Sequence, residues 1–188
     1  MDRDNTMDVT CTIECDLSDR MAEDIRQLQQ AAFPTAEEFL TQRWWHTPLS
    51  DNERWVGART GDKLIGSVRL LFRTITTPAG ELVVGGLGNV CSHPDCRGQG
   101  VASACMRAAA EVIEREADFG FLFCGETVRD FYAKLGWQTV SNVFWMLEGG
   151  SDGPRVSDTP HGYAMIHPGR QSMDDWPKGE IDLNGPDW

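Results

Sequence analysis

The sequence predicts a protein of mixed α and β character with an antiparallel meander at its centre. Three observations predict it. Strand-like runs recur at 9–15, 54–92 and 119–125. Between them, apolar residues fall at helical spacing near 18–28 and 99–116. Turn signals, Gly61-Asp62 and Pro78-Ala79-Gly80, divide the long central run into three strands.

The elements follow in order. VTCTIEC at 9–15 alternates as a strand does. Ser18 suits a helix N-cap, with Met21, Ile25 and Leu28 on one face beyond it. Thr35 with Glu38 three residues on is a capping-box pattern, opening a second short helix through TAEEFLTQRWW. RWVGART at 54–60, KLIGSVRLLFRTI at 63–75 and ELVVGGLGNVCS at 81–92 form the meander. A helix is expected over 99–116, with Val101, Cys105, Ala109 and Val112 inward and Arg107, Glu111, Glu114 and Arg115 outward. FGFLFCG at 119–125 is apolar almost throughout, as a strand covered on both faces is. A short helix from Thr127 to Leu135 ends at Gly136, and QTVSN and VFWMLEG read as strands. Beyond Gly149 the sequence is rich in Gly, Pro and Asp, with one strand-like piece, YAMI at 163–166.

Composition excludes several classes. The 188 residues suit one domain with a tail, and 40% hydrophobic content is enough for a core. Apolar runs such as FGFLF are too short to span a bilayer, and the polar N-terminus lacks an apolar signal segment. A cytoplasmic protein with no membrane partner is expected. The net charge of −12 disfavours nucleic acid and suits a cationic small molecule, although charge by itself favours plain solubility as its explanation. The six Cys include no CxxC pair and no zinc-type spacing, so no metal is expected.

HPDCRGQGVASACM at 93–106 holds the chemistry. A strand, a Gly-rich loop and a helix start make an anion site, because the first helical turn has free N–H groups and a positive dipole end. Gly98 and Gly100 let a ligand approach the backbone, and Arg97 adds a charged donor. No Gly-Lys-Ser/Thr follows, so this is no Walker loop, and a meander precedes it rather than a βαβ unit. A helix start that merely needs turn residues fits the loop as well.

About thirty residues on, RDFYAKLGW at 129–137 puts Tyr132 on the short helix. Arg97, Gly100 and Ala102 with Phe131, Tyr132, Gly136 and Trp137, in that order, resemble the two motifs of the GNAT superfamily of N-acyltransferases. The resemblance covers residues 9 to about 148. It implies a mixed α/β fold, a mostly antiparallel sheet flanked by helices and splayed between its fourth and fifth strands. A catalytic domain, 1–148, is expected with an acidic extension, 149–188, that is either draped or partly disordered; its Trp and Met residues favour docking on the domain. The resemblance implies acetyl-CoA as cosubstrate, with the backbone of Val90, Cys91 and Ser92 beside the pantetheine arm. Arg97, Gly98, Gln99, Gly100, Val101 and Ala102 would hold the diphosphate, and Tyr132 would protonate the departing thiolate. A homodimer joined through C-terminal strands is implied as well.

Two subfamilies share details with this sequence. SMDDWPKGEIDLNGPDW resembles the C-terminus of the nodulation N-acyltransferases. AAF followed by Glu37 and Glu38, WWHT at 44–47, and the final Asp187-Trp188 resemble the aminoglycoside 2′-N-acetyltransferases. Residues 148–188 hold eight acids against three bases, which suits a polycationic aminoglycoside. That likeness implies antibiotic resistance as the role, with Glu37, Glu38, Asp182, Asp187 and Trp188 on the substrate. Seven Trp suit stacking on sugar faces in a small two-ring aminoglycoside such as kasugamycin. One departure stands out. The strand-four Glu that serves these subfamilies as base falls here on Gly88 for the aminoglycoside enzymes and on Gly86 for the nodulation enzymes. Glu126 or Glu81 takes over that role, or is structural, or the acceptor amine titrates low enough to need no strong base; the alternatives are a nodulation-type or other small-amine N-acyltransferase, or a non-catalytic CoA-binding module, which the missing Glu favours.

Overall fold

The computed structural model describes residues 10–14, 17–35, 52–148, 153–159 and 162–188. The expected helix after Thr35, with Glu37 and Glu38, and the segment WWHT lie outside the described residues. The protein divides into two compact units, residues 1–69 with 89–108 and residues 70–88 with 109–188. Strands β3 (Lys63–Thr77) and β4 (Gly80–Ser92) and helix α2 (Val101–Glu116) contribute residues to both.

The first unit holds β1 (Thr10–Glu14), α1 (Asp19–Ala32) and β2 (Glu53–Thr60). β1 lies antiparallel on β2, from Thr10 opposite Arg59 to Glu14 opposite Trp55, and β2 also pairs with β3. Ser18 caps α1, its side chain accepting from the Met21 N–H at 3.2 Å. Met21, Ile25, Leu28 and Ala32 form the inward stripe of α1 and share a core with Trp55, Leu64 and Cys91. Gly66 lets α2 approach β3, since a Cβ there would lie 2.5 Å from Val101 Cγ1 and 3.2 Å from Cys105 Sγ. α2 starts at Val101, two residues later than expected. Gly100 has φ +81°, a left-handed conformation that no right-handed helix contains.

The second unit adds β5 (Phe119–Cys124), α3 (Glu126–Ala133), β6 (Gln138–Val140), β7 (Val143–Leu147), β8 (Arg155–Ser157), β9 (Tyr163–Pro168) and β10 (Glu180–Asp182). Strand order is β6-β9-β5-β4-β3-β10-β7-β8. The β4–β5 and β7–β10 pairs are parallel, while β5–β9, β6–β9, β7–β8 and β3–β10 are antiparallel. Residues 163–188 thus place two strands inside this sheet, β9 between β5 and β6 and β10 between β3 and β7. Phe119, Phe121, Phe144, Ile166, Ile181 and Leu183 are among the residues of its core.

β4 and β5 pair only from Val84 opposite Phe119 to Gly86 opposite Phe121. β5 continues to Cys124 beside β9 alone, so the two strands fork after that pair. This is the expected splay between the fourth and fifth strands.

Candidate coenzyme loop and acceptor-side residues

β4 carries a residue with positive φ near its end, Asn89 at +54°. Such a residue breaks the strand's regular twist, and Asn tolerates the conformation better than most residues do. After it come Val90, the buried Cys91, and Ser92. The Cys91 thiol lies 3.4 Å from Ser67 Oγ, and burial pushes its pKa up to about 11, so it stays a neutral thiol at physiological pH.

His93 then caps a short 3-10 turn, Pro94–Cys96, its Nδ1 accepting from the Asp95 N–H at 3.3 Å. Cys96 is buried and anchors the loop, while residues 97 to 100 are exposed. Gly98 and Gly100 have φ of +75° and +81°, and a Cβ on either would meet nothing within 4 Å. One side of the loop is therefore open. The first bond of the α2 ladder runs from the Ala104 amide to the Gly100 carbonyl at 2.9 Å. The amides of Val101, Ala102 and Ser103 precede the ladder and have no intrahelical partner. An open backbone with such amides fits a diphosphate. Gln99 braces the loop instead of reaching outward, its Nε2 donating to the Asp95 carbonyl at 3.0 Å. Arg97 donates one guanidinium N–H to the Ala32 carbonyl at 3.1 Å and has four further donors.

In the second unit, Tyr132 lies on α3 and is only 8% exposed. It packs edge-on against Phe131 at 5.1 Å and Trp137 at 6.4 Å between centroids. Its carbonyl accepts from the Leu135 and Trp137 amides, and Gly136 turns the backbone at φ +91°. Burial, and then the nearby Cys124 thiol, push the phenol up to about 12. Tyr132 therefore keeps its proton at neutral pH. Burial raises the Cys124 pKa as well, and its thiol donates to Met165 Sδ at 3.5 Å.

Glu126 is exposed at the first position of α3, where a negative charge complements the helix amides. Glu81 is exposed seven residues from Gly88 along β4, about 23 Å at strand rise, too far to act where a side chain at 88 would. Asp182 accepts from Arg155 Nε at 2.7 Å and from the Asn184 amide at 2.9 Å. Asp187 is exposed and Trp188 half-buried.

Gly86 and Gly88 have a reason to be glycine. Gly85 between them and the strand start faces α2, where a Cβ would lie 3.0 Å from Ile113 Cγ1. Side chains alternate along a strand, so positions 86 and 88 face the other way. A Cβ on Gly86 would fall on the Trp188 indole, and one on Gly88 would lie 2.9 Å from the backbone carbonyl of Trp188, carbon and oxygen alike. The residue that holds this arrangement, Arg73, was not singled out from the sequence. Its guanidinium stacks over the Trp188 ring, 4.4 Å from the centroid, and donates to the Pro186 carbonyl. Asn89 was also missed, although a lone Asn after GGLG carried the signal.

Among the described residues no three His, Cys, Asp or Glu side chains group as metal ligands, and no helix is long and apolar enough to cross a membrane.

Comparisons with known proteins identify the family and the fold. Residues 16–140 match the acetyltransferase (GNAT) domain family. Nodulation protein A of Bradyrhizobium sp. (strain NC92) is 30% identical over 161 residues, 74% of each protein. The GNAT family N-acetyltransferase YhbS of Escherichia coli, solved in complex with CoA, superposes with TM-score 0.64 at 14% identity, covering 97% of this protein and 93% of that one. A GCN5-related N-acetyltransferase from Kribbella flavida superposes with TM-score 0.53 at 19% identity over 72% of this protein, which spans only 34% of that longer one. The protein belongs to the GNAT acetyltransferase family.

Proposed function

We propose that the protein is an acetyl-CoA-dependent N-acetyltransferase whose acceptor is an amine of a cationic small molecule of the aminoglycoside class. One observation carries the reading: the open loop with left-handed Gly98 and Gly100 leads into the free amides of α2, in a member of the GNAT family. When bound, acetyl-CoA supplies an acyl group activated as a thioester. Residues 97–102 would hold the diphosphate through backbone amides, and Val90, Cys91 and Ser92 would bind the pantetheine arm. Tyr132 holds the proton destined for the leaving sulfur, and its raised pKa keeps that proton in place at neutral pH. β4 presents no carboxylate at 86 or 88, so the acceptor amine reaches the thioester already neutral or loses its proton to another group. The net charge of −12 draws a polycation to the surface.

Incubation of an aminoglycoside panel with the protein and acetyl-CoA, read by intact mass, tests this. The expected result is the gain of one acetyl group on at least one member. A second reading, transfer of longer acyl groups of the nodulation type, draws on the 30% identity to nodulation protein A. Acylation by a fatty-acyl donor with none from acetyl-CoA selects that reading.

A further inference from the structure

Trp188 stands at the fork where β4 and β5 part. The last β4–β5 pair is Gly86 with Phe121. Trp188 covers the face of Gly86 and lies 5.0 Å from Phe121 between ring centroids. The indole Nε1 donates to the Leu71 carbonyl at 3.0 Å. Arg73 stacks on the ring and also donates to the Pro186 and Leu183 carbonyls. Asn184 Nδ2 donates to the Thr74 carbonyl and to Thr76 Oγ1, each at 3.0 Å. Residues 183–188 are thus strapped along β3, and the strap ends with a rigid aromatic group in space that β4 side chains would otherwise fill.

We propose that Trp188 is the specificity-determining residue on the acceptor side, limiting the bulk of the amine admitted at the fork. The proposal rests on the N-acyl-transfer reading above. Its physical ground is the exchange of two side chains for one. A strand residue at 86 or 88 would line the fork with its own side chain; here both are glycine and a distant residue does so. The indole has a guanidinium over its ring already, so its contribution to an incoming amine is mainly shape.

The test is an acceptor panel graded by bulk around the amine, assayed with wild type, Trp188→Ala, Trp188→Phe and Gly86→Ala, with melting temperature followed in parallel. Trp188→Ala empties the space. Gly86→Ala drives a Cβ into the indole and displaces Trp188 without removing it. Both are expected to raise kcat/KM for bulky acceptors relative to slender ones by about tenfold, the scale on which an apolar pocket discriminates size. Trp188→Phe is expected to give an intermediate ranking, and it decides the matter if the other two fail to fold. If the variants lose activity uniformly and the ranking of acceptors stays as in wild type, the strap is purely structural and the proposal falls. If wild type acylates no amine at all, the N-acyl-transfer reading falls and this role with it.

Discussion

Arg97 donates from its guanidinium to the backbone carbonyl of Ala32, at 3.1 Å, across 65 residues of sequence. Ala32 ends α1, where carbonyls lack intrahelical partners and the dipole is negative. The residue expected to grip a diphosphate therefore also closes a helix. Arg97→Ala should cost about 1.5–3 kcal/mol of stability without coenzyme, the scale of a hydrogen bond from a charged group. Adding coenzyme should recover less stability in the variant than in wild type. Thermal unfolding with and without coenzyme checks both.

Gly100 and Gly61 make a matched pair. Both have positive φ, +81° and +57°, and a Cβ on either would meet nothing within 4 Å. Gly61 lies in the turn between β2 and β3, away from the loop in sequence. Alanine at either should cost about 1–2 kcal/mol through backbone strain alone. Only Gly100→Ala should raise the KM for acetyl-CoA, because only there does a methyl group stand in the proposed diphosphate loop. Equal KM in the two variants would remove the loop from coenzyme binding.

Tyr132 carries two expectations. Tyr132→Phe should lower kcat by about a hundredfold or more, the range of general acid catalysis, with the KM for coenzyme little changed. The second concerns stability. An unfolded phenol ionises near pH 10, and in the fold burial holds it up to about 12. The stability it brings is whole below pH 10 and is lost as pH rises through 12, about 2–3 kcal/mol in all. Urea unfolding at pH 9 and pH 12 measures this loss, and Tyr132→Phe should lack it.

How much of this was legible follows from the range of the interactions. α1 and α2 could be read because their apolar stripes are local patterns, and Ser18 sits where its cap is needed. The loop of Gly98 and Gly100 was legible because left-handed turns and helix starts leave marks within a few residues. β10 was not, since three residues, Glu-Ile-Asp, hold no period. Gly86 and Gly88 read in sequence as a lost carboxylate. In the fold they make room for Trp188, about a hundred residues away, and no local pattern records such a pairing. Asp182 illustrates the same limit: its carboxylate accepts from Arg155 and the Asn184 amide, a pairing that the acidic run around it does not record.

Gln29 supplies a prediction of opposite sign to the others. It lies on the inward face of α1 with no exposed surface. Neither its Oε1 nor its Nε2 has a hydrogen-bond partner among the described residues. A buried amide in that state costs about 1–3 kcal/mol in lost hydration, with no bond to offset it. Leucine is close to glutamine in size and adds apolar contact to a core already built from Ile25, Leu28 and Trp55. Gln29→Leu should therefore raise stability by about 1–2 kcal/mol, seen as a higher urea midpoint at unchanged slope. A fall in the midpoint would mean that the amide is satisfied in solution, by buried water or by a bound molecule. Repeating the titration with acetyl-CoA separates those two: only an amide that touches the coenzyme would make the coenzyme-induced stabilisation smaller in Gln29→Leu than in wild type.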